Sequence, residues 1–83
     1  MKLEGALTLQ TVAASLQRPL PAGDFTIDLG GLTQTDSAAL ALLLAWLRRA
    51  KARGSRVKLR ALPESLHALA SLYGIDALLP IEA

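Results

Sequence analysis

The sequence predicts an α/β domain whose central sheet is mostly parallel and covered by helices on one face only. Three observations lead there. Segments of period two and of period 3.6 alternate along the chain in the order β, short α, β, α, β, α, which is the order of a sheet built through helical crossovers. Two of the strands carry polar residues at every second position, Thr26 and Asp28 in one and Arg56, Lys58 and Arg60 in the other. A sheet buried on both faces would instead read as unbroken apolar runs. Finally, 83 residues leave room for one small domain, residues 1–83, with a modest core.

Each element follows from its local pattern. Leu3 to Leu9 reads as a short strand with Leu7 and Leu9 flanking Thr8, and Thr11 is placed to cap the brief helical segment VAASLQ. The run from Arg18 to Gly23 holds two prolines and a glycine, which cannot continue a helix. In DFTIDLGG, Phe25, Ile27 and Leu29 alternate with Thr26 and Asp28, so a half-buried strand is expected, closed by Gly30 and Gly31. A long helix is expected from about Asp36 to Arg53, with Gly54 just beyond it, where a left-handed C′ residue belongs. Arg56 to Ala61 is a second alternating strand. Pro63 suits a first helical turn, and Leu62, Leu66, Leu69, Ala70 and Tyr73 recur at helical spacing up to Gly74. The tail IDALLPIEA is expected to form a last strand or a turn.

Composition narrows the function. Hydrophobic residues make up 52% of the chain and aromatics 4%, so the core is aliphatic. The absence of cysteine excludes disulfides and thiolate metal or redox sites and fits a cytoplasmic protein. Glu4, Thr8, Gln10 and Thr11 interrupt the apolar N-terminus, making it a poor signal peptide. No apolar run reaches the roughly 20 residues that span a bilayer, so no direct membrane insertion is expected. The net charge is +2, and seven of the nine cations lie between Arg48 and Arg60. No aromatic residues interleave with them and no helix-turn-helix pattern accompanies them, so they read as a solubilising, dipole-complementing helix end and not as a nucleic-acid site.

The long helix carries no charge from Ala38 to Leu47. At ~100° per residue, Leu40, Leu43, Leu44, Leu47 and Ala50 fall on one arc, the expected sheet-facing side. Ala38, Ala41, Leu42, Ala45, Arg49 and Ala52 fall on the opposite arc with Trp46 toward one edge. An exposed apolar arc of this kind suggests a docking surface. The polar turn before it, Thr35, Asp36 and Ser37, supplies an N-cap and belongs to the same expected contact. A serine at a helix N-terminus is also a place where a phosphate would be stabilised, which makes Ser37 the candidate phosphorylation site.

The stretches IDLGGLTQTDSAALALLL, RAKARGSRVKL and LASLYGIDALLP resemble a STAS domain, the fold of anti-sigma factor antagonists and of the domain attached to sulfate transporters. The resemblance runs from Asp24 to Pro80. More narrowly, the compact length, the helix LALLLAWLRRAKARG and the ending LASLYGIDALLP are similar to the MlaB-type STAS subunit of the Mla phospholipid ABC complex. The family's Asp-Ser/Thr pair corresponds to Asp36 and Ser37, while Ala39 and Ala41 stand where antagonists usually have glycine. The resemblance implies a cytoplasmic module, peripheral at the inner face of the inner membrane. Such a module docks on the transporter ATPase, supports its activity and reaches the permease only indirectly, with the Asp-Ser turn and the start of the long helix in the contact. The alternative it implies is an antagonist bound by an anti-sigma factor kinase and switched at Ser37.

Catalysis is not expected. His67 lies in SLHALASLYG with Glu64 and Ser65 near in sequence but no nucleophile arrangement, and one histidine without cysteine makes a poor metal site. Gly30-Gly31 lacks the continuation of either phosphate-binding glycine motif. No cofactor is expected.

Overall fold

The computed structural model describes residues 1–82. Three parallel strands form one sheet in the order β1-β2-β3: β1 Lys2–Leu7, β2 Phe25–Thr35 and β3 Val57–Arg60. Helix α1 (Val12–Leu16) connects β1 to β2, α2 (Ser37–Ala52) connects β2 to β3, and α3 (Glu64–Leu72) follows β3. The expected α/β architecture is therefore present, and its polar sheet face is where the alternation placed it. Ile27, Leu29 and Leu59 point into the core with no exposed surface. On the opposite face Lys58 and Arg60 are exposed, Asp28 is half-buried, and Arg60 pairs with Glu82 at 3.2 Å.

β2 is longer than its composition suggests. Gly30 and Gly31 do not end it; the strand continues to Thr35 and pairs with β1 as far as Leu7↔Thr35. The glycines serve the strand pairing. A Cβ on Gly31 would lie 2.9 Å from the Leu3 carbonyl oxygen and 2.9 Å from Glu4 Cγ, so only glycine lets β1 approach this closely. β1 in turn stops at Leu7, two residues earlier than expected, because the chain turns there. The Thr8 carbonyl accepts from the N–H groups of Thr11 (3.0 Å) and Val12 (2.9 Å), and Thr11 Oγ1 accepts from the Thr8 N–H at 2.9 Å. Thr11 thus secures the turn ahead of α1 and makes no side-chain cap to the helix itself.

α2 has the expected limits. Asp36 caps it, and Gly54, with φ +77°, turns the chain out of it. Its orientation differs from the expectation. Ala39, Leu40, Leu42, Leu43, Trp46 and Ala50 are buried, whereas Leu44 and Leu47 are only half-buried. The buried arc is about 160° wide and is rotated by about 60° from the leucine-centred arc. The cause is the largest side chain: Trp46 is 0% exposed, and burying an indole releases more apolar surface than burying Leu44 or Leu47.

Pro63 stands at the N-cap of α3, and Leu66 and Ala70 are its buried residues. Tyr73, read as part of that stripe, is the C-cap and lies mostly in solvent. The tail forms a 3-10 turn, Asp76–Leu78, and then a single parallel bridge, Leu59↔Ile81, in place of a full strand.

Candidate partner-docking groove

Where β2 hands over to α2, Asp36 uses both carboxylate oxygens. Oδ1 accepts from the Ala38 N–H at 2.8 Å, the ordinary N-cap bond. Oδ2 accepts from the Leu9 N–H at 3.0 Å. One side chain therefore ties the β1–α1 turn to the start of α2. Both bonds have an ionisable acceptor, the stronger kind of protein hydrogen bond.

The consequence is a groove of about 550 Å³ between α1 and the first half of α2. One wall is Leu9, Val12 and Leu16; the other is Asp36, Ser37, Ala38, Ala41 and Ala45, with Leu42 between them. Leu9 is 72% exposed and Leu16 45%, although both are leucines. The small side chains at 38, 41 and 45 leave the backbone of α2 accessible between the walls, so a partner side chain can approach closely.

Most of the residues read from the sequence as a contact meet here. Asp36, Ser37, Ala38, Ala41, Leu42 and Ala45 share the groove, but three residues lie elsewhere than the sequence reading placed them. Leu42 was placed on an exposed arc, yet it is 1% exposed and supplies floor, not a projecting anchor; Trp46 lies wholly in the core. Thr35 is drawn elsewhere: its Oγ1 lies 3.2 Å from Ser65 Oγ, and it lines a separate polar depression with Pro63 and Ser65. The sequence reading missed Leu9, Val12 and Leu16. Val12 and Leu16 stand four apart in a helical segment, so they share a face, and that spacing was the available signal. Leu9 carried a misleading one, the strand-like alternation with Leu7.

The cations divide between elements. Arg53 donates to the carbonyls of Pro21 and Gly23, bonds Ser55 Oγ at 2.8 Å and lies 5.7 Å from the Phe25 ring centroid. Arg48, Arg49 and Lys51 stand exposed on α2, and Arg56 and Lys58 lie on or beside β3. His67 is exposed on α3. Among the described residues, no cluster of three His, Cys, Asp or Glu side chains is arranged to hold a metal ion. No helix among them is long and apolar enough to cross a membrane.

The parallel three-stranded sheet, the capped α2 and the Asp36-Ser37 turn at its start define the fold, and the family profile described as Mlab, STAS domain matches residues 1–80. The chain belongs to the STAS family, in its MlaB type. No curated protein matches the chain. At the start of α2 in this STAS domain, Asp36 and Ser37 are placed differently. Asp36 is structural and half-buried, while Ser37, the first residue of α2, is exposed.

Proposed function

We propose that this STAS domain is a non-catalytic module that docks on the cytoplasmic ATPase subunit of an Mla-type phospholipid ABC transporter and supports its activity, touching the permease only through that subunit. The observation that carries the reading is the apolar groove beside the Asp36-Ser37 turn, a concave surface lined by small side chains and two exposed leucines. Apolar surface left open in this way marks interaction sites in small domains. Membership of the MlaB type supports the transporter branch, and it implies a place at the cytoplasmic face of the inner membrane, held there by the complex.

The test is Ala41→Glu. Ala41 is exposed, so the variant keeps its fold, but in the complex it buries an unpaired charge, which is strongly unfavourable. Co-purification with the ATPase is expected to be lost and ATPase activity to fall. A folded Ala41→Glu variant that binds the ATPase as wild type does removes the groove from the interface.

One observation favours a second reading, antagonism of an anti-sigma factor kinase: the Ser37 hydroxyl is exposed at a helix N-terminus, where a phosphate is stabilised. Phosphorylated Ser37 recovered from cells together with a cognate kinase would put this reading first. Under the transporter reading, Ser37→Ala keeps most of the docking, and Ser37→Glu weakens it.

A further inference from the structure

The lining stripe of α2 does not end with the groove. Ala38, Ala41 and Ala45 are followed at helical spacing by Arg48 and Arg49, which fall on the same side of the helix one turn further on. Both are exposed. α2 contains no Asp or Glu at all, so neither arginine has an acidic neighbour one turn away on its own helix. The two ion pairs among the described residues, Lys2–Glu4 and Arg60–Glu82, lie on other elements. Compensation of the helix dipole explains charge in the last turn, Arg49 and Lys51; it does not explain why Arg48, ahead of that turn, joins Arg49 on the groove side.

We infer that the groove and these two arginines form one continuous site for an amphipathic helix of the partner, apolar along its length and carrying carboxylates at the end that lies over Arg48 and Arg49. This rests on the docking reading above and adds the chemistry of the occupant. From Ala38 to Arg49 the stripe is about 16 Å long, three turns of a docked helix. Arginine matches carboxylates with a planar, two-pronged donor set, and a charge pair at the rim of an apolar contact fixes register and orientation more than affinity. A second copy of this chain is a poorer occupant. The only carboxylate that its own stripe offers is Asp36, whose two oxygens already accept from Ala38 and Leu9.

The probe is a pair of synthetic helical peptides of about four turns, identical in their alanine and leucine stripe and ending in two glutamates or two lysines. They are titrated by calorimetry into the full chain, into Arg48→Glu/Arg49→Glu, and into Arg56→Glu/Lys58→Glu as a control for cations elsewhere. The glutamate peptide is expected to bind wild type at least about tenfold more tightly than the lysine peptide, with an affinity that falls as salt rises. The Arg48→Glu/Arg49→Glu pair inverts this preference and the Arg56→Glu/Lys58→Glu pair leaves it within about twofold. Failure of the glutamate peptide to bind, equal binding of both peptides, or a preference that survives reversal at 48 and 49 overturns the inference. So does binding to phosphatidylglycerol vesicles that depends on Arg48 and Arg49 but not on Ala41, or self-association that Ala41→Glu abolishes. The docking reading stands or falls separately, on whether Ala41→Glu loses the ATPase.

Discussion

Asp36 is the side chain on which both the helix and the groove depend, and two substitutions there separate its tasks. Asp36→Ala removes both acceptors. Losing the N-cap bond to Ala38 costs about 0.5–2 kcal/mol, and losing the bond to the Leu9 N–H, which solvent partly replaces because the contact is exposed, costs about 0.5–1 kcal/mol. The sum, about 1–3 kcal/mol, lowers the melting temperature by roughly 4–8 °C per kcal/mol for a domain of this size. Asp36→Asn behaves differently. Asparagine caps a helix as well as aspartate does, but its amide nitrogen donates and cannot accept from Leu9. The Asn variant is therefore expected to keep the cap and lose only the Leu9 bond, about 0.5–1 kcal/mol, so that it melts above Asp36→Ala while the β1–α1 turn comes loose. Global stability is read by urea titration of tryptophan fluorescence, since the only tryptophan, Trp46, is wholly buried. The turn is read by amide hydrogen exchange at Leu9 and through α1. Faster exchange there in Asp36→Asn, with a smaller global loss than in Asp36→Ala, is the expected result. Exchange equal to wild type in that variant would show that the second oxygen does not hold the turn and that the groove wall is positioned by something else.

Three further outcomes follow from packing. Leu43→Ala, at a side chain with no exposed surface, should cost about 2–5 kcal/mol through the cavity it leaves. Leu44→Ala, which the leucine-centred arc would have made the core variant, should cost less than half as much in the same urea titration, because Leu44 is only half-buried. Gly31→Ala should destabilise by about 1–3 kcal/mol, since its Cβ meets the Leu3 carbonyl at 2.9 Å; exchange in β1 should rise with it.

The strands and helix limits were legible because they depend on local chemistry. Alternation placed Ile27, Leu29 and Leu59 inward, and Asp36 and Gly54 bracket α2 because a cap acceptor and a left-handed glycine are needed at those ends. What could not be read locally was decided by partners distant in sequence. Gly30-Gly31 looks like a strand end until β1 is known to pass within contact of Gly31. The rotation of α2 was misread because its leucines are distributed around much of the helix, so the hydrophobic pattern is shallow and the choice of buried face falls to shape. Trp46 fits the centre of the core, and turning it inward carries Leu42 inward and Leu44 outward. Thr35 left the site for a similar reason, a hydroxyl partner, Ser65, thirty residues away.

That rotation also changes what a docked partner would meet. With Leu42 and Trp46 in the core, α2 alone offers a partner little more than methyl groups at 38, 41 and 45, and alanines bury too little surface to anchor an interface by themselves. The large apolar side chains of the groove, Leu9 and Leu16, come from the β1–α1 segment instead. α1 is five residues long and has no buried residue, and isolated helices so short are not stable in water. It keeps its place through the Thr8–Thr11 turn, the packing of Val12 on the core, and the bond from Leu9 to Asp36. Under the docking proposal, Asp36 therefore contributes to recognition without needing to touch the partner. It holds in position the short turn-and-helix segment that carries Leu9 and Leu16, and a docked helix that buries those leucines would stabilise α1 in return.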